Sequence, residues 1–127
     1  MKRSIFERLV VESVKALPPT IRTAMNNVAI VIEQEPRQEK LREVSVRRHG
    51  ILLGLYEGIP LKRRGAGYFG VLPDKITIFQ KSIESFSGKD PERLKALVRD
   101  VVWHEIGHHI GLNDQELRAL ERKRRKT

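Results

Sequence analysis

Apolar residues at Phe6, Leu9, Val10, Val14 and Leu17 recur at helical spacing and predict an amphipathic helix over residues 4–17. Pro18 and Pro19 stop it. A short turn of helix is expected to follow, to about residue 27. The β-branched run Val28-Ala29-Ile30-Val31-Ile32, closed by Pro36, reads as a buried strand. Residues 36–50 are polar and charged, with a short strand expected at 44–46. Ile51-Leu52-Leu53-Gly54-Leu55-Tyr56 predicts a further strand, and Gly58, Pro60, Gly65 and Gly67 mark the loop after it. A stretch around Tyr68-Phe69 is expected to be extended. Lys75-Ile76-Thr77-Ile78-Phe79-Gln80 alternates and predicts another strand, with a loop over residues 85–89.

The last third of the chain is helical. Asp90 reads as an N-cap and Pro91 as the first helical residue. The helix runs to Ile110 and stops at Gly111, a residue that tolerates the left-handed conformation. Asn113 and Glu116 repeat the cap-plus-acid signature, which predicts a final helix over about 114–125. Helix, several strands and then two helices make an α+β fold, with an N-terminal helix and a short C-terminal helix. At 127 residues the chain is read as a single domain, 1–127, with a basic tail at 122–127.

Composition narrows the chemistry. The absence of cysteine excludes disulfides, thiolate metal sites and a cysteine nucleophile. Charges interrupt the N-terminal apolar residues and no apolar run is long enough for a bilayer, so a soluble cytoplasmic protein without a membrane partner is expected. The net charge of +9 gathers in Arg47-Arg48, Lys62-Arg63-Arg64 and Arg122-Lys123-Arg124-Arg125-Lys126. Such runs are usually solvated surface. They keep nucleic acid open as an alternative partner, although no aromatic residue interleaves them to stack on bases.

Three of the four histidines fall within residues 104–109. His104 and His108 are one helical turn apart on one face, so both imidazoles can reach one ion at about 2.0–2.1 Å. Glu105 is rotated from His104 by about 100°. It is placed to act on a water at the open coordination position, where a general base belongs. Upstream, Val101, Leu97 and Leu94 continue the ligand face as an apolar stripe. The bend at Gly111 returns residues 112–116 towards His108, and Asp114 lies there as third ligand. With nitrogen and oxygen donors only, zinc fits better than calcium or magnesium.

The segment His104-Glu105-x-x-His108-x-x-Gly111-x-x-Asp114 resembles the zincin signature that uses aspartate as its third ligand. Leu53-Gly54-Leu55-Tyr56-Glu57-Gly58 and Leu72-Pro73-Asp74-Lys75-Ile76-Thr77-Ile78-Phe79 are similar to the other hallmark stretches of the small bacterial zincin-like metallopeptidases, the minimal zincins. The resemblance covers about residues 28–120. It implies a mixed sheet over an active-site helix, one Zn²⁺ per chain on His104, His108 and Asp114, and hydrolysis of peptide bonds with Glu105 as base. The methionine turn of the metzincin branch is missing, because Met1 and Met25 both lie upstream. Glu116 and Glu121 remain open as third ligands of the gluzincin kind.

Other residues carry weaker readings. His109 is a contact to the site or a packed imidazole. Asp100 orients His104 or faces solvent. Tyr56 and Tyr68 are oxyanion donors or packing residues, His49 is no ligand, and Trp103 is core. The expected partner is a peptide or protein substrate, laid antiparallel along an exposed sheet edge at either residues 67–71 or the Ile51–Tyr56 strand, and a monomer is favoured. The competing reading is a basic zinc-binding protein without turnover, which binds nucleic acid or a protein.

Overall fold

A computed structural model of the chain describes residues 1–37, 46–48, 51–61, 64 and 73–125, with 46–48, 114, 121 and 123–125 described for backbone alone. Helices α1 (Arg3–Lys15) and α2 (Pro19–Ala24) precede strands β1 (Val28–Glu33), β2 (Val46–Arg48), β3 (Ile51–Glu57) and β4 (Asp74–Phe79). Helices α3 (Gln80–Ser87), α4 (Pro91–Ile110) and α5 (Asp114–Arg125) follow. The described strands form one mixed sheet in the order β1-β4-β3-β2. β1 runs parallel to β4, and the other two pairings are antiparallel. The chain is thus α+β, with a sheet laid over α4.

The starting and stopping signals of α4 act as the sequence predicts. The Asp90 side chain accepts a hydrogen bond from the Glu92 N–H at 3.0 Å, Pro91 opens the helix, and Gly111 closes it at φ 105°. Its apolar stripe, Leu94, Leu97 and Val101, is buried together with Val98, Val102, Trp103 and Ile106. Phe6 and Val10 of α1 join the same core, with Leu53 of β3 and Ile76 and Ile78 of β4.

Three elements differ from expectation. β1 is the sheet's edge strand and only Ile32 in it is buried. A continuous β-branched run suits burial on both faces, but among the described residues no strand lies beside one of its long edges. The Arg3 guanidinium donates instead to the Ile32 carbonyl at 2.9 Å. β2 begins at Val46, where the expected strand at 44–46 ends; residues 44 and 45, like the stretch around Tyr68-Phe69, lie outside the described residues. Helix α3 occupies residues expected as strand end and loop. β4 runs straight into it through Phe79, with no side-chain cap, and three serines of low helix propensity hide its period.

β3 carries a bulge. Val46 pairs with Gly54 but Arg47 pairs with Leu52, so β3 holds one extra residue there. The bulge shifts the alternation. Leu53 and Tyr56 join the α4 side of the sheet, while Leu52 and Leu55 pack with Phe79 in a second, separate cluster.

The cap of α4 gives a first test. Asp90→Ala removes the acceptor for one helix-end N–H and is expected to cost about 1 kcal/mol. Urea unfolding reads this as a lower midpoint at constant slope, and an unchanged midpoint contradicts the role of the cap.

Candidate metal centre

The last turns of α4 leave the apolar core and turn polar. His104 and His108 are both partly exposed, with ring centroids 6.1 Å apart and nearly perpendicular planes. A zinc-bound imidazole places its centroid about 3 Å from the metal. Two imidazoles on a tetrahedral ion stand about 5 Å apart, so the rings share one ion after closing by about 1 Å, a small rotation of either side chain. Glu105 is wholly buried. Its carboxylate lies against the backbone of Gly54: a Cβ at that glycine would stand 3.3 Å from Oε2 and 2.6 Å from the Val101 side chain. Glu105 Oε1 is 3.2 Å from Nδ1 of His108. A carboxylate only accepts, so this contact places the proton on Nδ1 and leaves the Nε2 lone pair for a metal.

Gly107, between these residues, has a packing role. A Cβ there would meet the Leu117 side chain at 2.2 Å, so α5 crosses α4 where α4 has no side chain. Leu117 is fully buried by this contact. Beyond the left-handed Gly111, Asn113 caps α5. Its Oδ1 accepts from the Glu116 N–H at 2.8 Å, and Glu116 Oε1 accepts from the Asn113 N–H at 3.2 Å. The carboxylate of Glu116 is thereby engaged at the cap. Asp114 is the first residue of α5, on the segment that this turn and the Gly107 contact fold back onto α4. The side chains of Asp114 and Glu121 lie outside the described residues. Among the described side chains, no three His, Asp or Glu groups gather as a metal site; the structure brings together His104, His108 and Glu105.

One residue past His108 stands a polar cluster that the pattern of the sequence did not announce. Asp74 is 3% exposed and opens β4. It accepts from the Tyr56 hydroxyl at 2.5 Å, the Ile59 N–H at 3.1 Å and His109 Nδ1 at 2.9 Å, and it pairs with Arg64 at 2.9 Å. Burial pushes this carboxyl up. The hydrogen bonds from Tyr56, His109, Ile59 and Arg64 together outweigh burial and hold it below its ordinary value. Tyr56 therefore spends its hydroxyl on Asp74, which opposes the oxyanion role considered for it. His109 is a buried structural imidazole, and Trp103 is core. Asp100 is partly buried, one turn before His104. Tyr68 and His49 lie outside the described residues. One sequence signal for the cluster existed: Asp74, Ile76 and Ile78 share a parity, so the alternation that buries the two isoleucines also turns Asp74 inward.

A family model described as zincin-like metallopeptidase matches residues 25–124, most of the chain. The chain belongs to the zincin-like metallopeptidase family. No curated protein matches it. The match takes in His104, Glu105, His108 and Asp114 and also all four polar partners of Asp74. For a zincin-like chain the donor set is suitable: two imidazoles on one helix face, with His108 turned by its Nδ1 contact to offer Nε2, fit a zinc ion. No described helix is long and apolar enough to cross a membrane.

Two tests follow from this geometry. Gly107→Ala sets a methyl into Leu117. Overpacking costs about 1–3 kcal/mol, against about 1 kcal/mol regained in helix propensity. A net loss of stability and faster proteolysis within α5 are expected; a more stable variant contradicts the close crossing. The second test concerns acid. The folded-state pKa of Asp74 is lowered, so its contribution is fully present above the unfolded carboxyl value and is lost as pH falls through the folded one. Urea midpoints measured through that acid range should fall more steeply for the wild type than for Asp74→Asn. Parallel slopes contradict the account.

Proposed function

We propose that this zincin-like chain is a zinc-dependent metallopeptidase that binds one Zn²⁺ through His104, His108 and Asp114 and hydrolyses peptide bonds with Glu105 as general base. The observation that carries the reading is the placement of Glu105: a buried carboxylate, wedged against Gly54 and within hydrogen-bond distance of a ligand imidazole. A structural zinc site closes all four positions with protein ligands, whereas two histidines and one carboxylate would leave a position open for water beside such a base. The capping role of Glu116 favours Asp114 as the third ligand, since a carboxylate bonded to the Asn113 N–H is held away from other work.

When bound, zinc would supply Lewis acidity, lowering the pKa of water and polarising the scissile carbonyl. Glu105 takes up the proton of the attacking water and delivers it to the leaving amine. Its burial removes competing water, and its contact with His108 fixes the carboxylate at the edge of the site. An extended substrate finds main-chain partners along a sheet edge. β3 lies inside the sheet, between β4 and β2, so Ile51–Tyr56 is not that edge. Among the described strands β2 borders the sheet on that side and packs against α4, which favours β2; the alternative stretch 67–71 lies outside the described residues.

Glu105→Gln is expected to abolish cleavage of a broad peptide library while zinc stays bound at about one ion per chain. Undiminished cleavage by the variant removes Glu105 as base, and a wild type that binds zinc but cleaves nothing supports the reading without turnover. Asp114→Ala should weaken zinc binding strongly, and Glu116→Ala should leave it within a few-fold. The reverse order of effects, measured by competition with a chelator, transfers the third ligand from Asp114 to Glu116.

A further inference from the structure

The cluster around Asp74 closes into a ring. Arg64, 7% exposed, pairs with Asp74 and also donates to the Ile59 carbonyl at 3.0 Å and to the carbonyl and Oδ1 of Asn26 at 3.2 and 3.1 Å. The Asn26 N–H donates in turn to Nε2 of His109 at 3.2 Å. Because that nitrogen accepts, the proton of a neutral His109 sits on Nδ1, which donates to Asp74. Tyr56 packs edge-on against the same imidazole, with centroids 6.1 Å apart. Both ring nitrogens are thus engaged by separate segments, the turn before β1 and the start of β4, while Arg64 ties the loop after β3 to both.

His109 is the chain neighbour of His108, and the ring clamps the last turn of α4 to the sheet. We propose that Asp74 is the positioning residue of the metal site: acting through His109, and held by Arg64, it fixes the rotation of that turn and so the direction of His108. The inference rests on the metal reading above. A side-chain tip lies about 5–6 Å from a helix axis, so a rotation of roughly 10° moves it about 1 Å. Metal–ligand distances tolerate only about 0.2 Å. The clamp is therefore stiff where precision is needed, one residue along the chain from a ligand. An aspartate suits the position because all four of its partners donate. An asparagine would turn an N–H₂ towards at least one of these donors.

The test uses Co(II), whose ligand-field spectrum reports geometry independently of turnover. Wild type, Asp74→Asn, His109→Phe and Phe6→Ala are compared at a temperature where circular dichroism shows each one folded. Phe6 is a fully buried residue of α1 and, being apolar, takes no part in the hydrogen bonds of the ring, so its truncation controls for lost stability. Asp74→Asn and His109→Phe should bind Co(II) about tenfold or more weakly, in line with other residues that orient ligands, and with an altered spectrum. Phe6→Ala should match the wild type in both. If Asp74→Asn does not fold, His109→Phe, which keeps the Asp74–Arg64 pair, carries the test alone. Wild-type affinity and spectrum in His109→Phe overturn the proposal, as does an equal loss in Phe6→Ala. A wild type that binds no Co(II) or zinc fails the metal reading itself, and the proposal with it. In the metal-free protein, nitrogen-15 spectra should show His109 protonated at Nδ1 in the wild type; protonation at Nε2 alone also overturns the ring.

Discussion

A carboxylate shut away from water is tolerated only when donors surround it, and Asp74 is met by a phenol, an imidazole, a guanidinium and a backbone N–H. Those donors come from β3, from the loop after it and from the end of α4. The charge of one residue at the head of β4 thus ties together segments that are far apart in the chain. It also explains why the sheet and the ligand helix keep one relative placement. Apolar packing between α4 and the sheet is broad and non-directional, whereas the hydrogen bonds and the ion pair around Asp74 are directional.

α4 has two duties that conflict. Its first turns bury Leu94, Leu97, Val98, Val101 and Val102 as a core helix does. Its last turns, on the proposed metal reading, present His104 and His108 to a zinc ion. The conflict is resolved by position along the axis and by the sheet's irregularity. The bulge in β3 puts Gly54 where Glu105 needs room, and Gly107 lets Leu117 of α5 settle onto the helix without displacing either histidine. The Gly111 turn and the Asn113 cap then carry the chain back over α4.

Much of this was legible in the sequence because it is local. Asp90 and Pro91, Gly111, and the Asn113–Glu116 pair each act within one turn, and the histidine spacing follows from helix geometry alone. Position within a sheet was not legible: the run Val28–Ile32 has the composition of a central strand, yet β1 is an edge. Helix α3 lacked both a cap and a clean period. The bulge depends on register between two strands, which no single segment encodes. The Asp74 ring joins residues 26, 56, 64, 74 and 109, and only tertiary structure brings these together. Parity marked Asp74 as inward-facing, but nothing in the chain named its partners.

The central claim of our proposal is that the end of α4 holds a catalytic zinc through the imidazoles of His104 and His108. X-ray absorption at the zinc edge, on protein supplied with one equivalent of zinc, tests it most directly. The account predicts tight stoichiometric zinc with two imidazole shells at about 2.0–2.1 Å and the remaining positions filled by oxygen. Zinc bound without imidazole scattering, or a chain that holds no zinc, would contradict it.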